Sequence, residues 1–113
     1  VNLLQSLFGP PLPSVSAAEL NDKLKQPKRP LVLDVRQPDE FRTGHITGAK
    51  LIPLNELGRR LKELPKDREI VCVCASGNRS RSATKVLVRA GYNAVNMKGG
   101  MLNWSGNGFT TKK

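Results

Sequence analysis

Long apolar runs are missing from this 113-residue chain. The longest uncharged stretch, Val1 to Ala18, is broken by Pro10, Pro11 and Pro13 and carries several polar residues, so no segment reads as a membrane span. It also lacks the charged start, apolar block and small-residue cleavage site of an intact secretory signal. The expected compartment is the cytoplasm, with export as the alternative should a leader preceding Val1 have been removed. Aromatics are scarce, with three Phe, one Tyr and one Trp, which is too few for a base-stacking platform. Histidine occurs once, as His45, and cysteine twice, as Cys72 and Cys74. A lone C-x-C offers too few ligands for a structural zinc site. In an extended strand its two Cα atoms would sit roughly 6.5–7 Å apart, at or past the limit for a disulfide. Acidic residues are also few: 9 Asp and Glu face 19 Lys and Arg, a net charge of +10. The basic residues are scattered, in the connector Lys25, Lys28 and Arg29, in Arg59, Arg60 and Lys62, and in Arg79 and Arg81. That dispersal points to general attraction of small or protein-borne anions rather than specific nucleic-acid binding.

What is present is one domain's worth of chain, 38% apolar, with the apolar residues in short clusters. Residues 1–15 read as an N-terminal arm, 16–108 as the domain and 109–113 as a basic tail. Ser16 and Glu19 have the spacing of a capping box, and Leu20 and Leu24 follow at i, i+4, so a short helix is expected from Ala17 to Lys25. Leu31 to Val35 and Ile70 to Cys74 are nearly continuous apolar runs of the kind buried on both faces of a parallel sheet. Pro38 opens a brief helical turn. Leu51-Ile52 reads as a further short strand. Asn55 is the expected cap of a helix reaching Leu64, with Leu57, Leu61 and Leu64 on one face. A helix from Ser80 to Ala90 stopped by Gly91, a strand from Asn93 to Met97, and a short helix after Gly99-Gly100 complete the pattern. Strands alternating with helices predict an α/β fold, an open and mostly parallel sheet flanked by helices on both faces.

Between the clearest strand and the clearest helix lies Cys74-Ala75-Ser76-Gly77-Asn78-Arg79-Ser80. Cys74 falls at the carboxyl end of its strand, where open α/β sheets place ligand crevices. Gly77 permits positive φ, so the segment can curl and aim several N–H groups inward as an anion-binding nest around the sulfur. The following helix adds the positive end of its dipole, and Arg79 a permanent charge at the rim. Such surroundings lower a thiol's pKa and leave a nucleophilic thiolate. The thiolate can attack the outer sulfur of a donor to form a persulfide, whose terminal charge the nest would hold, before a second nucleophile removes that sulfur. No metal, general base or cofactor is required. Cys72, inside the strand, reads instead as core packing. Asp34 and Arg36, at the end of a neighbouring strand, are possible supporting residues with a structural reading preferred. Arg36 and Glu40 have the spacing of an ordinary ion pair.

The chain resembles the rhodanese-like domains. Leu33-Asp34-Val35-Arg36, Glu40-Phe41, Gly44-His45-Ile46-x-Gly48-Ala49 and Ile52-Pro53 look like their N-terminal signature. Cys74 to Ser80 is similar to their active-site loop, and Gly91-Tyr92, Asn96, Gly99-Gly100-Met101 and Trp104 to their closing signature. The likeness spans about Ser14 to Gly108. It implies an open parallel sheet, Cys74 as nucleophile, residues 75–79 (Ala75, Ser76, Gly77, Asn78, Arg79) as the cradle, a framework position for His45, and a core anchor in Trp104. Related phosphatases of this fold place five residues between Cys and Arg. The four between Cys74 and Arg79 make a tighter ring, suited to a single sulfur atom. Many thiosulfate-using relatives carry a basic residue directly after the cysteine, where this chain has Ala75.

The expected activity is therefore sulfur transfer through a Cys74 persulfide, of the thiosulfate:cyanide type, with a small anionic donor such as thiosulfate and cyanide, a thiol or a protein as acceptor. A second reading is a persulfide delivery module working between dedicated partner proteins. A third is a redox-sensing thiol, which needs no sulfur donor.

Overall fold

In the computed structural model, residues 11–113 are described; the apolar part of the arm reading, Leu3-Leu4 with Leu7-Phe8, lies outside them. The apolar runs form strands: β1 Ser14–Val15, β2 Leu31–Asp34, β3 Lys50–Leu51, β4 Ile70–Val73 and β5 Ala94–Met97. They make one five-stranded sheet in the order β1-β5-β4-β2-β3, every ladder parallel. Because side chains alternate across a strand, each continuous run feeds two cores. Val71 and Val73 face one core with Leu20, Met97, Met101 and Trp104. Ile70, Cys72 and Cys74 face the other with Leu33, Leu57, Ala83 and Leu87. Burying a side chain such as Leu20 or Leu33 contributes about 1.5–3 kcal/mol, so a sheet covered on both faces is the stable use of these strands.

The helices supply those covers: α1 Ala17–Lys23, α2 Pro38–Thr43, α3 Leu54–Leu57, α4 Asn78–Arg89 and α5 Gly100–Gly106. The capping box at the start of α1 is formed, Glu19 N–H donating to Ser16 Oγ at 3.0 Å and Ser16 N–H to Glu19 Oε1 at 2.9 Å. That helix closes at Lys23, with Leu24 as its cap, two residues before the expected end. Trp104 is buried, as a core anchor should be, and its indole N–H donates to the Thr110 carbonyl.

The expected helix from Asn55 to Leu64 is a correction. The chain makes only α3, flanked by Pro53 and Gly58, and a separate 3-10 turn at Leu61–Glu63. Asn55 lies inside α3 and caps nothing. The leucine spacing did mark a buried face, since Leu57 and Leu64 are buried. Gly58 disfavours a continuous helix by about 1 kcal/mol relative to alanine, and the tertiary contacts of the leucines survive without it. Ser14–Val15 belong to the sheet edge, paired with Asn96 and Met97. At the other terminus, Lys112 pairs antiparallel with His45.

Candidate active site

The topology defines where a site can form. β4 is the central strand. The chain leaves β2 toward β3 on one side and leaves β4 toward β5 on the other, so the loops after β2 and β4 part at their carboxyl ends. Such a switch point opens a crevice, and Cys74 is the first residue after β4 there.

The segment 74–77 curls because its carbonyls are claimed from outside. Met101 N–H donates to the Cys74 carbonyl at 2.8 Å and Leu102 N–H to the Ala75 carbonyl at 3.1 Å, both from the first turn of α5. Gly100 makes this approach possible: with φ +57, any Cβ there would lie 2.4 Å from the Cys74 carbonyl oxygen. Gly77, with φ +101, reverses the chain into α4. With carbonyls turned out, amides turn in. Gly77 N–H reaches Cys74 Sγ at 3.1 Å and Ser80 N–H at 3.3 Å, while Ser80 Oγ lies 3.3 Å away.

This geometry sets the charge state of the sulfur. Burial pushes the Cys74 thiol up, since only 1% of the residue is exposed. The Ser80 hydroxyl and the amides of Ser80, Gly77 and Ser76 outweigh that, and the net displacement is downward. Cys72 is also buried but has only Thr84 to ease it, and its pKa is pushed up to about 11. It packs in the core, and neither cysteine is in a disulfide.

The other residues expected at the site fall into place unequally. Ala75 is half-buried at the loop crest, and Ser76 and Asn78 are exposed. Arg79 stands on the first turn of α4, but its charge is not free at the rim. It forms a two-pronged ion pair with Glu40 of α2, Nη1 to Oε1 at 2.7 Å and Nη2 to Oε2 at 2.8 Å. The expected Arg36–Glu40 pair is therefore corrected. Arg36 precedes α2, so helical i, i+4 geometry does not apply. It folds back on Asp34, with Nη2 to Oδ2 at 2.8 Å, and donates to the Gly44 carbonyl. Both Asp34 and Arg36 are buried, and the pair ties down the turn after β2. His45 stacks on Phe41, with Nδ1 2.8 Å from the Phe41 carbonyl, as a framework residue would.

Three participants were not singled out from the sequence. Ser80 sits at the third position of a helix, where an N–H is unpaired, and its hydroxyl was a readable sign. Glu40 had no local sign, being 39 residues from Arg79. Asn96, on β5 under the loop, donates from Nδ2 to the Gly77 carbonyl at 3.4 Å, and its buried Oδ1 has no partner among the described residues. Among the described residues, no group of three His, Cys, Asp or Glu side chains could hold a metal ion, and no helix is long and apolar enough to cross a membrane.

The structure defines an α/β fold, a parallel sheet covered on both faces with a thiol held by two backbone amides at its switch point. The chain belongs to the rhodanese-like domain family, whose pattern matches residues 16–107. It is 35% identical over 92 residues to a putative sulfurtransferase, YtwF, of Bacillus subtilis, covering 81% of this chain and 89% of that protein. It is 34% identical over 96 residues to a putative sulfur carrier protein of the same organism, YrkF, covering 84% of this chain and 52% of that one. A rhodanese-related protein from Thermoplasma volcanium superposes with a TM-score of 0.83 at 36% identity, over 88% of this chain and 97% of its own. The two Bacillus subtilis relatives are named for sulfur transfer and for sulfur carriage.

Proposed function

We propose that the protein is a sulfurtransferase that carries sulfur as a persulfide on Cys74. The observation that carries this reading is the set of groups on Sγ: two N–H donors and a hydroxyl, all within 3.3 Å, with no carboxylate or histidine among its hydrogen-bond partners in the described residues. A thiolate so held attacks the sulfane sulfur of a donor. One sulfur–sulfur bond forms as the donor's breaks, and the bonding pair leaves with the donor fragment. The new terminal sulfur keeps one negative charge, which inward-facing amides stabilise as an oxyanion hole would. An acceptor nucleophile then takes that sulfur, and the electron pair returns to Cys74. The near-complete burial of Cys74 favours a one-atom-wide terminal sulfur over bulkier electrophiles. A reducing, cytoplasmic compartment suits a site that works as a free thiolate.

The test is intact-protein mass after incubation with thiosulfate, for the parent, Cys74→Ser and Cys72→Ser. The parent and the Cys72 variant should gain one sulfur atom, removable by cyanide; the Cys74 variant should gain none. Turnover with cyanide would then give thiosulfate:cyanide activity. Loading of Cys72, or of no cysteine by any sulfane donor, overturns the reading.

A persulfide delivery module between partner proteins is favoured by one observation: Ala75 adds no charge to the loop and Arg79 is already paired. Loading from a persulfidated protein but not from thiosulfate would select it.

A further inference from the structure

Two arginines come from the segments that flank the crevice, Arg36 after β2 and Arg79 on α4, and both are already paired. Arg36 is paired with buried Asp34, and both Arg79 nitrogens that face Glu40 are taken by its two carboxylate oxygens. The first residue after the thiol, Ala75, is uncharged. The direct contacts to Cys74 Sγ are therefore neutral dipoles, the amides and the Ser80 hydroxyl, and the Arg79 charge acts on the sulfur from within an ion pair.

A donor's charge matters in such a field. Thiosulfate brings two negative charges to the thiolate and departs as sulfite, also a dianion: Cys74–S⁻ plus S–SO₃²⁻ gives Cys74–S–S⁻ plus SO₃²⁻. A small alkyl persulfide brings one: Cys74–S⁻ plus R–S–S⁻ gives Cys74–S–S⁻ plus R–S⁻. In each case the donor's S–S bond breaks and its electron pair leaves with the departing fragment. Charge repulsion weakens only as the inverse of distance, while the field of a closed ion pair falls off faster. A paired arginine therefore offsets less of the dianion's repulsion than a free one.

We propose that Glu40 is a specificity-determining residue: by occupying Arg79 it withholds the rim's cation, so that the site favours singly charged persulfide donors over the thiosulfate dianion. This rests on Cys74 carrying the persulfide. The Glu40 carboxyl is held down at about 2, first by its hydrogen bond with Arg79, so the pair stays ionised throughout the neutral range. The pair joins the two loops that part at the switch point, and it also positions Arg79.

The experiment measures single-turnover sulfur loading of Cys74 by mass, with thiosulfate and with the persulfide of 2-mercaptoethanol, whose persulfide is its one charge, across donor concentration. Relative to the parent, the ratio of thiosulfate to persulfide loading rate should rise about tenfold in Glu40→Gln, through tighter thiosulfate saturation. Glu40→Asp keeps the charge and should retain the parent ratio. So should Glu69→Gln, whose partner is Lys23, at the amino end of the sheet. Ala75→Lys adds a cation while leaving the pair intact, and should raise the ratio even if Glu40→Gln folds poorly. A purely structural role for Glu40 would slow both donors alike. An unchanged or lower ratio in Glu40→Gln or Ala75→Lys, or a rise in Glu40→Asp equal to that in Glu40→Gln, overturns the inference alone. A parent that loads from neither donor overturns the persulfide reading with it.

Discussion

Cys72 and Cys74 stand two residues apart, face the same core, and are equally hidden from water, at 0% and 1% exposure. Their thiols nevertheless move in opposite directions, Cys72 up to about 11 and Cys74 down. Burial raises both thiols, more so for the deeper Cys72, so burial alone cannot bring Cys74 down. The difference is where the ladder stops. Cys72 lies within β4, matched to Leu33 of β2 and Asn96 of β5, where the backbone donors nearby serve the sheet. Past Val73 the ladder ends, α5 takes the carbonyls, and the loop's amides are left for a sulfur. A buried thiol's pKa falls when hydrogen-bond donors reach its sulfur, not when it is exposed.

The largest expected effect comes from exchanging the two. Cys74→Ser should abolish sulfur loading, and Cys72→Ser should leave it, as read by intact mass. Next, Gly100→Ala strikes the geometry that separates them. Its Cβ would collide with the Cys74 and Ala75 backbone at a positive φ, and the loss should be about 3 kcal/mol or more, measured as a lower urea midpoint. Unchanged stability would mean that α5 does not hold the loop's carbonyls.

Ser80→Ala makes Cys74 more like Cys72. A hydrogen bond to a charged group contributes about 1.5–3 kcal/mol, so loading near neutral pH should slow roughly 10- to 100-fold. The alkylation rate of Cys74 should rise at higher pH than in the parent, because the hydroxyl is the leading influence lowering its pKa. A profile that does not move assigns the thiolate to the amides alone.

The smallest effect concerns Cys72. Cys72→Ala should cost about 1 kcal/mol at neutral pH through lost packing. Its thiol pKa is raised on folding, so the stability it contributes is complete below the unfolded value near 9.0 and is lost as pH rises through about 11. Cys74 has the opposite sign: its contribution is present above the unfolded thiol value and lost as pH falls through the lowered one. The stability difference between parent and Cys72→Ala should therefore shift by up to about 2–3 kcal/mol, from favouring the parent at neutral pH to favouring the variant, as urea midpoints are followed up to and past pH 11. A constant gap would contradict a neutral, buried Cys72.

The central strands, α1 and α4 were legible because their signals are local: continuous apolar runs for the strands, a capping box for α1, a helical apolar face for α4. β1 was not, since two residues make a strand only because the β5 edge is there to receive them. The helix expected over Asn55 to Leu64 failed because leucine spacing reports a buried face, and a broken pair of turns buries that face as well as a helix does. At the site, Cys74 and its loop could be read from one strand end, one glycine and one helix start. Arg79's partner could not, because spacing along the chain favoured Arg36 for Glu40.

By itself the sequence determined the parallel α/β order, the position of the thiol at a strand's carboxyl end, and the glycine at which the loop can turn. These depend on periodicity and on backbone freedom at Gly77, which belong to neighbouring residues. Only the tertiary structure decided which acid answers which arginine, which carbonyls α5 removes from the loop, and hence how much charge surrounds the sulfur. Hydrogen bonds and ion pairs are made across space between segments that the chain brings together late, and no spacing in one segment records the partner in another.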